Sequence, residues 1–224
     1  MDALVFSVKS LPYLLEGAVI TIELSAVSLA IGFLLGLPLS LGRTYGPRPL
    51  RYLCTAYIEV IRGTPMLVQL FLIYYGLPDL GIRLDRFPSA CLAIGLNSAA
   101  YQAEYFRGAL QSVAPGQMTA ALALGFTRWQ AILRVVLPQA MRLVIPSLSN
   151  ECSYLVLYTS VAFAIAVPEL FSRGRILISS EFKPLEILFT VAAVYLVMLW
   201  VVSRITGRIE KRISIPGLKP GAEA

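Results

Sequence analysis

Glu151 is the residue whose chemistry stands out first. It follows Asn150 in a span otherwise built of Leu, Val and Ala, and Tyr154 and Tyr158 stand three and seven positions on. In a helix these four make one polar stripe. An ionisable group at bilayer depth costs about 2.5–3.5 kcal/mol on insertion scales, so such a stripe should face a bundle interior or a wet cavity. A carboxylate, an amide and two phenols can bind a polar solute. The amide can donate to a ligand carboxylate or accept from an ammonium, and the carboxylate favours substrates with extra positive charge, such as arginine, lysine, ornithine or protonated histidine. The plainer reading is a structural pair between Glu151 and Arg142, Arg62 or a partner subunit.

Two further charge pairs repeat one spacing. Glu59 and Arg62, and Glu104 and Arg107, are each three residues apart, close enough to neutralise each other on one helix face. Gly63 and Pro65 follow Arg62 and weaken that span, so a bend or gate is expected there. Glu16 and Glu23, at the start of the first span, have no expected role beyond snorkelling or interface pairing. Catalytic chemistry is poorly supplied. The chain has no histidine, and Cys54, Cys91 and Cys152 lie in apolar runs without ligand spacing, as buried small hydrophobes do. No metal site and no catalytic residue is expected. There is no Gly-x4-Gly-Lys-Ser/Thr to cradle nucleotide phosphates, so no nucleotide cofactor is expected in this chain, and if ATP and Mg drive uphill transport they do so on partner subunits.

The elements that position these residues are membrane spans. Of the 224 residues 57% are hydrophobic and mean hydropathy is +0.73. Only 14% are charged, against about 25% in soluble domains, which makes lipid the simpler solvent. Residues 1–10 have no basic region or small-residue cleavage site, so no cleavable leader is expected. Five apolar segments, near 18–41, 52–77, 88–110, 135–167 and 184–202, can each cross a bilayer as all-α spans. The second carries glycine, proline and charge and the fourth proline and charge, so kinks or unwound turns are expected in them. Of the 19 Lys and Arg, twelve fall in one set of loops and six in the other, with Arg62 inside a span. The positive-inside rule then puts the N-terminus outside and the C-terminus in the cytoplasm. The net charge of +6 sits at span ends rather than on one amphipathic face, so nucleic acid is not an expected partner. One membrane domain is expected over 1–212, with a cytoplasmic loop near 111–134 and a short tail at 213–224.

That loop contains Gly116-Gln117-Met118-Thr119-Ala120-Ala121-Leu122-Ala123-Leu124-Gly125, with Leu137-Pro138 twelve residues on. The alanines form helix with almost no bulk. Ala121 and Gly125 lie one turn apart, where another protein could approach the backbone closely. Gly125 can take positive φ and turn the chain. The plainer reading is an interfacial hairpin.

At this loop the chain resembles the permeases of ATP-binding-cassette importers. Their coupling-loop signature reads Glu-Ala-Ala, three residues, Gly, nine residues, Ile-x-Leu-Pro. Here the same spacing joins Thr119-Ala120-Ala121 to Gly125 and then Val135-x-Leu137-Pro138. Arg62-Gly63-Thr64-Pro65, Leu67-Val68-Gln69-Leu70-Phe71, Ile73-Tyr74-Tyr75-Gly76, Asn97-Ser98-Ala99-Ala100-Tyr101, Phe106-Arg107-Gly108 and Val167-Pro168-Glu169-Leu170 are similar to the polar amino-acid branch (histidine/arginine/glutamine-type permeases). The resemblance spans about residues 10 to 212.

It implies a five-helix type I importer permease with a cytoplasmic coupling helix, in the bacterial inner membrane. It implies import of polar amino acids by alternating access, two ATPase subunits, an extracytoplasmic amino-acid-binding protein and a second permease subunit. Thr119, Ala120, Ala121 and Gly125 would couple to the ATPase. Asn150, Glu151, Tyr154, Tyr158, Thr159 and Ser160 would line the substrate path. Glu59, Arg62, Gly63 and Pro65 would serve as gate or structure. Two departures matter. Thr119 replaces the coupling glutamate, which removes an ion pair with the ATPase but leaves a hydroxyl able to cap the helix. Leu157 and Tyr158 stand where many such permeases carry Lys-Asp before Thr-Ser. A degenerate loop of this kind favours a heterodimer, with the better-preserved loop on the other subunit. The competing readings are an ion-gradient-driven carrier or channel, and a membrane scaffold without a substrate path.

Overall fold

The computed structural model describes residues 2–213. Every regular element among them is helical. The expected tail at 213–224 lies outside the described residues, save Ile213.

The first helix, α1 (Asp2–Tyr45), extends well beyond the expected first span. Its 44 residues reach about 66 Å at 1.5 Å per residue, more than a bilayer's thickness. It packs most extensively on α4 (Arg86–Gln111), and small residues make that approach close. A Cβ at Gly36 would lie 3.0 Å from the Ala99 carbonyl oxygen and 3.0 Å from Gln102 Cβ. Four residues earlier, a Cβ at Gly32 would meet Ser98 and Gln102.

The second expected span is broken. α2 (Arg48–Arg62) ends at Gly63-Thr64-Pro65, where Pro65 interrupts the hydrogen-bond ladder. α3 (Met66–Phe71) then runs through a wide turn, Leu72–Gly76, and a tight one, Leu77–Leu80. The two arms meet at 106°. The severed ladder is repaired locally, in part by Thr64 Oγ1, which donates to the Val60 carbonyl at 2.8 Å. Gln69 Nε2 donates to the Ile61 carbonyl at 2.7 Å, the Thr64 carbonyl at 3.1 Å and Thr64 Oγ1 at 2.8 Å.

α4 is the central helix. It has 26 residues, enough to cross, and most of its faces are buried. Its Ser, Asn and Gln content is tolerable because it meets other helices rather than lipid. After it come α5 (Pro115–Ala123) and α6 (Arg128–Ala131). α6 opens with a capping box between Thr127 and Gln130 and continues through a wide turn, Ile132–Val136. α7 (Leu137–Leu143) and α8 (Ile145–Tyr158), the latter extended by the tight turn Thr159–Ile165, form the second broken span, bent by 52°. α9 (Leu170–Glu181) and α10 (Pro184–Ile213) complete the chain.

By length and composition, Ser10–Tyr45 and Pro184–Ile213 can each cross a membrane unbroken, and each bent pair can cross as one span. Both bends fall in the segments whose prolines predict them. α1 and α10 turn Leu15, Val19, Ile22, Leu34, Leu196, Val197 and Trp200 outward, as lipid-facing helices do. The inner surfaces form three apolar clusters. One around Leu24, Leu70, Ile94 and Leu155 lies beneath the polar site.

Candidate functional site: a polar cavity between α4 and α8

α4 and α8 enclose a cavity of about 250 Å³ lined by Ile94, Asn97, Tyr101, Tyr105, Glu151, Tyr154, Leu155 and Tyr158. The polar contributors from α4 follow the spacing of one helix face, at 97, 101 and 105. Those from α8 stand at 151, 154 and 158. The volume is below the range of about 300–1,000 Å³ typical for drug-sized ligands, and fits something smaller.

Glu151 is 5% exposed. Ser98 Oγ donates to Glu151 Oε1 at 2.5 Å, and Tyr105 OH donates to Oε2 at 3.2 Å. Gln102 Nε2 in turn donates to Ser98 Oγ at 3.0 Å. None of the ion pairs among the described residues includes Glu151. The expected pairing with Arg142 or Arg62 is therefore not made. The carboxyl group is held by neutral donors, and no cation among the described residues pairs with it.

The remaining stripe residues separate. Tyr154 and Tyr158 line the cavity and are half-exposed. Asn150 opens instead on a shallow groove with Ser153, Tyr154, Leu157 and Leu199. Adjacent helix positions point about 100° apart, so Asn150 and Glu151 look to different sides. Thr159 is buried and donates to the Val156 carbonyl, and Ser160 donates to the Leu157 carbonyl. Both hydroxyls are spent on the turn rather than on the cavity.

The wall from α4 is not expected from local sequence pattern. The motif Asn97-Ser98-Ala99-Ala100-Tyr101 was visible, but nothing local says which helix it faces. Here Asn97 and Tyr101 connect the cavity to the broken span. Asn97 Nδ2 donates to Gln69 Oε1 at 3.0 Å, and the Arg62 guanidinium lies 5.3 Å from the centre of the Tyr101 ring.

The expected pair of Glu59 with Arg62 is replaced. Arg43 reaches across from α1 to Glu59 at 3.0 Å and Glu104 at 2.7 Å. Arg62 lies 4.0 Å from Glu104 instead. A two-pronged guanidinium placed between α2 and α4 outcompetes a partner three residues away on the same helix. Glu104 and Arg107 do pair, at 2.7 Å.

In the loop, Gly125 takes φ +85° and closes α5, with Phe126 N donating to the Ala121 carbonyl at 3.1 Å. Ala121 faces inward and is buried, so it does not share an outer face with Gly125. Thr119, Ala120, Leu122, Ala123 and Leu124 are exposed, as are Pro115, Gly116, Gln117 and Gly125. Thr119 does not cap α5. The cap position is Ala114, and Thr119 Oγ1 points back to the Pro115 carbonyl at 3.4 Å. The helix begins too early for residue 119 to reach its first free N–H groups.

Glu169 also had no assigned role. It caps α9, accepting from Phe171 N and Ser172 N, each at 2.7 Å, and from Tyr195 OH at 3.1 Å.

A glycine-closed loop helix beside two broken spans and a small polar cavity is the architecture of a binding-protein-dependent permease. Residues 28–215 match the family described as "Binding-protein-dependent transport system inner membrane component", and the chain belongs to that family. The chain is 40% identical over 208 residues to the glutamine transport system permease protein GlnP of Escherichia coli (strain K12), covering 92% of this chain and 95% of that one. It is 38% identical over 203 residues to the L-cystine transport system permease protein TcyB of Bacillus subtilis (strain 168), covering 90% and 87%. Among solved structures, that of an amino acid ABC transporter with histidines superposes with a TM-score of 0.86 at 35% identity, covering 95% and 99%. The inward-facing MetNI methionine transporter shares the fold, with a TM-score of 0.79 at 19% identity.

The protein is thus an inner-membrane permease subunit of an ATP-driven amino-acid importer. It is not an enzyme, because ATP hydrolysis resides in separate ATPase subunits. Family membership favours this over a carrier driven by an ion gradient, and it brings an ATPase and a binding protein as partners.

Proposed function

We propose that this chain forms half of a translocation pathway for polar amino acids, and that Glu151 receives a positively charged group of the substrate. The supporting observation is the buried carboxylate in the cavity wall without a cation partner. A substrate guanidinium, ammonium or imidazolium would cancel that charge in a site where water is scarce. Asn97 and the tyrosines 101, 105, 154 and 158 supply the remaining polar and aromatic surface. Relatives are named for glutamine, L-cystine and nopaline transport, and one solved structure is of an amino acid transporter with histidines. Glu151 tips this chain to the cationic side.

Two ATPase subunits, holding ATP and Mg, dock on the exposed face of α5 and on its counterpart in a second permease subunit. Thr119 in place of the coupling glutamate makes that second subunit a different chain. The loops 111–134 and the basic C-terminal end face the cytoplasm, and the N-terminus lies outside. ATP binding closes the ATPases, α5 transmits the movement, and the two permease subunits rock open to the outside. The elbow at Gly63-Thr64-Pro65 is the gate, because it is tied to the cavity wall by Gln69 and Arg62. The test is uptake into liposomes holding the whole complex with its binding protein and internal ATP. Labelled arginine or histidine should accumulate with ATP and not without it. Accumulation by this chain alone, without ATP or partners, would overturn the reading.

A further inference from the structure

The end of the bundle that carries α5 holds a second recess, of about 420 Å³, lined by Arg43, Thr44, Arg51, Thr55, Arg107 and Gln111. Three arginines line it and no carboxylate does. Glu59 and Glu104, which bind Arg43 and Arg107, are not in the lining. Arg51 has no ion-pair partner among the described residues. Its hydrogen bond to the Gly46 carbonyl is long, at 3.5 Å. Thr44 Oγ1 is buried without a hydrogen-bond partner. Arg43 and Arg107 are held by Glu59 and Glu104, so the recess keeps a net positive charge, with its unspent donors on Arg51. Guanidinium forks and hydroxyls suit the several oxygens of a phosphate.

The surroundings bear on where such a phosphate would come from. The recess lies where α1 ends, α2 begins and α4 ends, the level of a headgroup layer for helices that cross a bilayer. Next to Arg51, α2 leaves Leu50, Tyr52 and Leu53 exposed. An arginine flanked by outward apolar side chains matches a molecule with a charged head and an apolar body. Basic pockets between membrane helices bind such headgroups.

We propose that this recess binds the phosphate of an anionic phospholipid from the leaflet on the α5 side. That leaflet is cytoplasmic on the orientation proposed above, and the site does not otherwise depend on that reading.

The test is native mass spectrometry of the assembled importer titrated with dioctanoyl phosphatidylglycerol. One adduct per copy of this chain should form. Arg51→Gln should weaken it about fivefold, the scale of one basic residue at an anionic surface, and Thr44→Val should weaken it in the same direction. Dioctanoyl phosphatidylcholine should not replace it, and equimolar inorganic phosphate should not displace it. Unchanged binding in both variants, or equal binding of phosphatidylcholine, would overturn the proposal. Displacement by inorganic phosphate would make this a free-anion site, and loss of the ATPase from the Arg51→Gln complex would make it a protein contact. Either contradicts a lipid. An inverted topology in protease protection would refute the orientation while leaving this binding result intact.

Discussion

Ser98 Oγ on α4 lies 2.5 Å from Glu151 Oε1 on α8, and this bond joins the two walls of the cavity. Gln102 supports Ser98 from one turn below. Ser98→Ala should leave the carboxylate with Tyr105 as its only donor. A buried charged group that loses one donor costs about 1–3 kcal/mol. The purified complex should melt at lower temperature, and the KM for a cationic amino acid should shift more than in a substitution outside the cavity. Unchanged melting and unchanged KM would mean the bond carries no weight.

Gln69 is the second relationship that can be broken cleanly. Its amide satisfies groups freed at the 106° elbow and accepts from Asn97. Gln69→Leu keeps the bulk and removes every one of these bonds. A loss of about 1 kcal/mol is expected from the part-buried hydrogen bonds removed, together with slower uptake. Thermal unfolding of the complex and initial uptake rates would check it. Normal uptake would separate the elbow from gating.

At Gly36 the closeness of α1 and α4 can be tested. A side chain there meets backbone atoms of α4 at 3.0–3.1 Å. Gly36→Val should force the helices apart at a cost of about 1–3 kcal/mol or more. Reduced yield of folded protein in the membrane fraction is the expected readout. Gly108, with open space around it, should accept alanine without that loss.

The loop helix makes a prediction of its own. Gly125 holds φ +85° with no neighbour within 4 Å, so Gly125→Leu suffers backbone strain of about 1–2 kcal/mol rather than a clash. The turn closing α5 should deform, and the ATPase should co-purify less while membrane insertion is retained. Thr119→Glu should have the opposite effect, tightening ATPase retention by restoring a carboxylate at an exposed position. Normal co-purification in Gly125→Leu would remove α5 from the docking surface.

These residues also show what a chain can disclose before it folds. The bends at Gly63-Thr64-Pro65 and near Pro146, and the positive φ of Gly125, were legible because proline and glycine act on their own backbone. The stripe of Glu151, Tyr154 and Tyr158 was legible because helix period is local. Partners across helices were not. The spacing of Glu59 and Arg62 predicts a pair, yet Arg43, sixteen residues upstream of Glu59, takes the carboxylate. Asn150 follows the same local logic as Glu151 and ends on another face. Ser98, Tyr101 and Tyr105 look like ordinary polar residues of a span until α8 is placed against them. Ala121 fits a docking surface by size, and only the packing of α5 on the turn Ile132–Val136 turns it inward.

The central claim is that Glu151 meets the positive charge of the substrate. The direct measurement is ATP-driven uptake by the complete complex in liposomes, for wild type and Glu151→Gln, with arginine and histidine compared against glutamine and glutamate. Glutamine at 151 keeps the shape and removes the charge. Uptake of the cationic substrates should fall at least tenfold, equivalent to about 1.4 kcal/mol, with glutamine uptake little changed. Equal uptake of arginine by both proteins would contradict the account and leave Glu151 as a brace between α4 and α8.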